Sequence, residues 1–179
     1  MVSDPELLEL AARVGQKLRA AERRLVTAES CTGGWVAQVL TDIPGSSQWF
    51  ECGYVTYSNA AKMRDLAVAA STLESFGAVS EQTVREMAEG ALRVAGVNVA
   101  LAVSGIAGPD GGSADKPVGT VWFCAAARAG ELIDIIAEEK LFDGDRNSIR
   151  SQAVRHALRM ILRLDLPLRH EVAAHAAAP

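Results

Sequence analysis

The sequence is poor in the residues on which several functional classes depend. Its three cysteines, Cys31, Cys52 and Cys124, form an odd count with no C-x-x-C pair, which argues against a disulfide framework and for a reducing, cytoplasmic setting. Its three histidines, His156, His170 and His175, are all near the C-terminal end and show no metal-ligand spacing, so neither a metal nor another cofactor is expected. There is no basic block and the formal net charge is −4, which speaks against nucleic acid as the main partner. No apolar run approaches the roughly 20 residues of a membrane span. The opening residues, Met1 to Glu6, are acidic where a secretory signal is basic.

What is present is a chain of 179 residues, 49% of them hydrophobic, enough for one domain with its own core. Its most informative stretch is Leu25-Val26-Thr27-Ala28-Glu29-Ser30-Cys31-Thr32-Gly33-Gly34, which reads as strand, sharp turn and helix. With a strand over 25–28 and a helix from Cys31 to about Thr41, Ser30 takes the cap position, where free N–H groups and the positive end of the helix dipole collect. Gly33 and Gly34 then fall in the first helical turn, where each costs about 1 kcal/mol relative to alanine, so close approach of a ligand is the expected compensation. A plain helix cap is the competing explanation of Ser30.

The rest alternates between helical and strand patterns. Ser3 and Glu6 stand at capping-box spacing before a helix over 5–20 with Leu7, Leu8, Ala11, Val14 and Leu18 on one face. A strand is expected over 50–57, then a helix carrying Lys62 and running to about Val68, a short helical turn over 71–76, and a helix from Ser80 to Gly96 whose stripe of Val84, Met87, Ala88, Ala91, Leu92 and Ala95 is core. Residues 97–103 read as a strand buried on both faces. Residues 120–127 and 132–142 read as an antiparallel hairpin turning at 128–131. The last helix opens near Arg146 with Ile149, Ala153, Val154, Ala157, Leu158 and Ile161 inward. Domain 1–165 is followed by an Ala-rich tail, 166–179, expected to be frayed. The sum is a three-layer α/β/α sandwich around a mixed, mostly parallel sheet of about five strands, with an antiparallel member near the C-terminal hairpin.

Three further places carry chemistry. Lys62 lies close to a helix start, where a cation is disfavoured, so either it serves a partner there or it is an ordinary solvated lysine. Arg146 repeats the arrangement, and pairing with Asp143 or Asp145 accounts for it more simply than phosphate binding does. The stretch Ser104-Gly105-Ile106-Ala107-Gly108-Pro109-Asp110-Gly111-Gly112 begins a long loop after a buried strand, at the sheet edge where open α/β folds bind ligands. It conforms to neither of the common nucleotide-binding glycine motifs. Tyr57, at a strand end, reads as half-buried.

Thr27-Ala28-Glu29-Ser30-Cys31-Thr32-Gly33-Gly34, Tyr57-Ser58-Asn59-Ala60-Ala61-Lys62, Ser104-Gly105-Ile106-Ala107-Gly108-Pro109 and Lys116-Pro117-Val118-Gly119-Thr120-Val121 together resemble the CinA C-terminal domain family, whose members include the nicotinamide-nucleotide amidases. The resemblance implies hydrolysis of the carboxamide of nicotinamide mononucleotide to nicotinic acid mononucleotide and ammonia, by a cytoplasmic homodimer without metal or cofactor. It assigns the catalytic serine to Ser30 and its tyrosine and lysine to Tyr57 and Lys62, which supplies a base where histidine is absent. Glu29, Cys31, Thr32, Gly33 and Gly34 would surround the substrate, with Cys31 to Gly33 donating to an oxyanion. Ser104, Gly105, Gly108, Gly111, Gly112 and Arg146 would complete the binding site, the 108–112 loop on the phosphate. Ser104 stands where family members often carry threonine.

Two alternatives stay open from sequence. Cys31, if it begins a helix, has a lowered pKa and competes with Ser30 as nucleophile. A nucleotide-binding or competence-associated interaction module without turnover would use the same phosphate-friendly loops.

Overall fold

The computed structural model describes residues 4–129 and 132–166. The first helix, α1 (Pro5–Ala20), keeps its expected bounds, but its cap is Asp4, whose carboxylate accepts the Glu6 N–H. Ser3, the expected cap, lies outside the described residues. The inward face of α1 is Leu7, Leu10, Ala11, Val14 and Leu18, with Leu10 taking the place expected of Leu8.

The order continues as β1 (Leu25–Glu29), α2 (Trp35–Thr41), β2 (Phe50–Val55), α3 (Asn59–Leu66), α4 (Ala70–Phe76), α5 (Glu81–Ala95), β3 (Val99–Gly105), β4 (Thr120–Ala129), β5 (Leu132–Leu141) and α6 (Arg146–Arg163). The strands assemble in the order β2-β1-β3-β4-β5. β1 pairs in parallel with β2 and β3, and β4 runs antiparallel to both its neighbours. Four strands therefore point one way and β4 is the antiparallel member. The turn of the β4–β5 hairpin, 130–131, and the expected tail beyond Leu166 lie outside the described residues, as do His170 and His175.

The period-2 alternation of β3 shows why helices cover both faces. Val99, Leu101 and Val103 pack with α1, α2 and α6. Ala100 and Ala102 face α5 and the inward residues of α3 and α4, Leu66 and Leu73. The small residues on that second face let α5 lie close to the sheet. Among the described residues no helix is long and apolar enough to cross a membrane.

Several boundaries shift from expectation by a few residues, and two of the shifts matter for the site. β2 ends at Val55, leaving Thr56 and Tyr57 in the connection to α3. α2 begins at Trp35 instead of Cys31, because residues 31–34 form turns in which Gly33 and Gly34 take φ of +63° and +92°. Their positive φ is the reason for the glycine pair, since a side chain there is strained. The connection β1–α2–β2 leads to one side of β1 and the α3–α5 crossover returns to the other. The carboxyl end of β1 is thus a switch point of the kind where α/β sheets form their sites.

Candidate active site

Ser30 follows the last residue of β1, and its N–H donates to Val103 O on β3 at 3.0 Å, which continues the parallel ladder by one residue. Its side chain is buried in a turn closed by the Gly33 N–H donating to Ser30 O at 3.0 Å. Ser30 is therefore not a helix cap. That role belongs to Glu29, whose carboxylate is buried and accepts the N–H groups of Gly34 at 3.0 Å, Val36 at 3.1 Å and Ala37 at 2.9 Å. A strand-end carboxylate satisfies the first donors of α2 and neutralises its dipole. This fixes the angle between β1 and α2, and it leaves Glu29 facing the backbone instead of a substrate.

Lys62 is brought to Ser30 by α3, which Ser58 caps by accepting the Ala61 N–H. It is not a solvated lysine: only 1% of its surface is exposed. Its Nζ lies 3.0 Å from Ser30 Oγ and donates to Thr56 O at 2.7 Å. Burial lowers its pKa to about 8, while the Cys31 thiol close by acts weakly in the opposite direction. An amine in this state is readily neutral and can take a proton from the hydroxyl it touches. The depth of Lys62 also depends on Gly90 of α5, where an added Cβ would meet Leu66 O of α3 at 2.0 Å.

Tyr57 is 62% exposed, further out than a half-buried strand residue. Its hydroxyl accepts from Arg146 Nη2 at 3.0 Å, and Arg146 Nη1 donates to Gly108 O at 2.7 Å. Arg146 thus bridges the β2–α3 connection to the glycine loop, and the simpler pairing with Asp143 or Asp145 is replaced. Asp145 instead caps α6 by accepting the Ser148 N–H.

The loop over 106–119 is anchored at both ends. The Gly119 N–H donates to Ile106 O at 2.8 Å, the Ile106 N–H donates to Thr120 O at 2.9 Å, and Lys116 Nζ donates to Phe76 O at 2.7 Å. Gly108 lies in its buried base, whereas Asp110, Gly111 and Gly112 are exposed. Ser104 is buried, its hydroxyl donating to Ala78 O at 2.7 Å, and Gly105 packs directly on Val121 of β4.

Cys31 contradicts the expectation of a reactive thiol. It does not begin a helix, and burial, with the nearby Glu29 carboxylate adding to it, pushes its pKa up to about 12. Ser30, not Cys31, has the base.

Two participants escaped the sequence reading. Thr56 offers its carbonyl to Lys62. Arg150 donates from Nε to Cys31 O at 3.1 Å and from Nη2 to Thr32 O at 2.9 Å, and its guanidinium lies 5.3 Å from the centre of the Trp35 ring. The signal for Arg150 was its spacing: Arg146 and Arg150 stand four apart and share a face of α6. The hydroxyls of Thr32 and Thr56, in the segments that hold the Ser30–Lys62 pair, are buried without a hydrogen-bond partner among the described residues. Among those residues no cluster of three or more metal-ligating side chains occurs.

Residues 7–164 match the profile of the family described as the CinA C-terminal domain. The chain is 54% identical over 160 residues to the nicotinamide-nucleotide amidohydrolase PncC of Escherichia coli strain K12, covering 89% of this chain and 95% of that protein. It is 49% identical over 161 residues to the protein of the same name in Pseudomonas putida, covering 90% and 98%. The crystal structure of the competence/damage inducible protein CihA from Agrobacterium tumefaciens superposes with a TM-score of 0.86 at 45% identity, covering 90% of this chain and 97% of that one.

Proposed function

The chain belongs to the CinA C-terminal domain family, and from that premise we propose that it is a nicotinamide-nucleotide amidohydrolase that releases ammonia from nicotinamide mononucleotide. The observation that carries the mechanism is the buried Ser30–Lys62 contact of 3.0 Å. Neutral Lys62 takes the Ser30 proton as Oγ attacks the carboxamide carbon, and the carbonyl electrons move onto oxygen. The lysine then protonates the departing nitrogen, the carbonyl re-forms, and ammonia leaves an ester on Ser30. Water, losing its proton to Lys62, attacks the ester, and the acid is released with the proton returned to Ser30 Oγ.

The Gly33 and Gly34 N–H groups are taken by Ser30 O and Glu29, which narrows the oxyanion donors to Cys31 and Thr32. Tyr57 and Arg146 stand at the mouth of the site, where a guanidinium suits the ribose phosphate better than the exposed Asp110 of the glycine loop does. The bond from Arg146 to the Gly108 carbonyl supports a role for the glycine loop beside that phosphate. The reading carries a cytoplasmic homodimer with it.

The test is ammonia release from nicotinamide mononucleotide by the wild type and by Ser30→Ala, with EDTA present. Turnover that persists in EDTA and is lost in the variant is expected. Turnover retained by Ser30→Ala, or none in a folded wild type, would sink the proposal.

A further inference from the structure

The turn after Ser30 lacks the usual source of positive potential. Residues 31–34 precede α2, yet the first donors of that helix are consumed by the Glu29 carboxylate, which also cancels the dipole at that end. The charge that does reach the turn is Arg150, delivered from α6 across 118 and 119 residues of sequence to Thr32 O and Cys31 O.

A carbonyl and the N–H that follows it belong to one rigid peptide unit. Cys31 O is therefore joined to the Thr32 N–H, and Thr32 O to the Gly33 N–H. The only cis peptide bond in the chain's described residues is Gly108–Pro109, so these units are trans, and each N–H points away from the carbonyl that Arg150 holds. A charge-assisted bond to the carbonyl withdraws electron density from its N–H and strengthens it as a donor. On Thr32 O this reinforces the Gly33 N–H bond that closes the turn on Ser30 O. On Cys31 O it strengthens the Thr32 N–H, on the opposite side of the peptide from Arg150. The fork is fixed in turn by its packing over Trp35.

Resting on the amidase reading above, we propose that Arg150 is a positioning residue for acyl transfer: by holding the Cys31 and Thr32 carbonyls it orients and polarises the Thr32 N–H as the donor to the oxyanion. Arg150 need not touch the substrate, and the interaction it strengthens is made only as the tetrahedral oxygen develops charge. Its loss is therefore read in kcat, whereas a merely structural loosening of the turn would disturb KM as well.

The experiment compares wild type, Ser30→Ala, Arg150→Met and Arg150→Lys in ammonia release from nicotinamide mononucleotide, with inhibition by 3-pyridylboronic acid, which forms a tetrahedral anion on a serine, as a second readout. Arg150→Met is expected to lower kcat about 10- to 100-fold with KM within about twofold, and to weaken the boronate by a similar factor, since even direct removal of one oxyanion donor costs about 100- to 1,000-fold. Arg150→Lys, which cannot grip two carbonyls with one planar fork, should recover only part of the rate. Wild-type kcat in Arg150→Met, or a rise confined to KM, overturns the inference. Should Arg150→Met not fold, Arg150→Lys decides: a reduced kcat at unchanged KM supports the inference and a wild-type kcat overturns it. Absence of turnover in the wild type, or its persistence in Ser30→Ala, overturns the amidase reading and this inference with it, whereas wild-type rates in the Arg150 variants beside an inactive Ser30→Ala overturn the inference alone.

Discussion

The beginnings of α3 and α6 pose one electrostatic problem and solve it in two ways. Each places a cation, Lys62 or Arg146, near the positive end of a helix, and each helix is capped locally, by Ser58 or by Asp145. At α3 the cation turns inward, is desolvated, and has its pKa lowered to about 8 beside Ser30. At α6 it turns outward into solvent, spanning Tyr57 and Gly108. Burial suits the first to the proposed role of base. Exposure and a planar fork let the second clamp a carbonyl and a phenol, and suit it to the proposed role at the phosphate.

Removing the two cations breaks the comparison most severely. Lys62→Met is expected to reduce kcat about 1,000-fold or more, since a nucleophilic hydroxyl without its base loses the main means of activation, and steady-state ammonia release measures it. Arg146→Gln should act mainly on KM, raising it about tenfold through loss of the proposed phosphate contact. Equal collapse of kcat in both variants would erase the distinction between base and clamp.

The same contrast appears in stability. A folded-state pKa lowered to about 8 from 10.5 means that the unfolded chain holds the Lys62 proton over that interval while the native chain does not. Stability is therefore lowest, as far as Lys62 is concerned, below about pH 8, and it rises as pH increases from there towards 10.5, by up to about 3 kcal/mol. Urea unfolding of wild type and Lys62→Met at both ends of the interval isolates this difference, which a solvated Lys62 would not show. The caps supply the smallest effects. Ser58→Ala and Asp145→Ala should each lose about 1 kcal/mol in unfolding, and Ser58→Ala should reduce activity more because α3 carries the base. Equal activity in the two cap variants would show that α3 needs no such precision.

Much of the scaffold was legible because local spacing dictates it. The period of 3.6 in α1, α5 and α6 and the apolar run of β3 reproduce the element order and layers, with boundaries moved by a few residues. Ser30 and Lys62 were singled out by position relative to a strand end and a helix start, although nothing local distinguished a buried lysine from a solvated one. What local spacing hides is contact over long separations. Glu29 reaches five to eight residues ahead to cap α2, which moved the helix start and removed the basis for an activated Cys31. Arg146 and Arg150 find partners 38 to 119 residues away, so their roles emerge only once α6 lies against the carboxyl ends of the strands.

The most direct test of the Lys62 assignment is the pH dependence of kcat/KM for ammonia release from nicotinamide mononucleotide, followed from about pH 6 to about pH 10. A neutral lysine as base predicts a kcat/KM that rises with pH to a plateau, with its midpoint near 8. A kcat/KM that is flat across this range, or that rises with the same midpoint in an active Lys62→Met, would contradict the account.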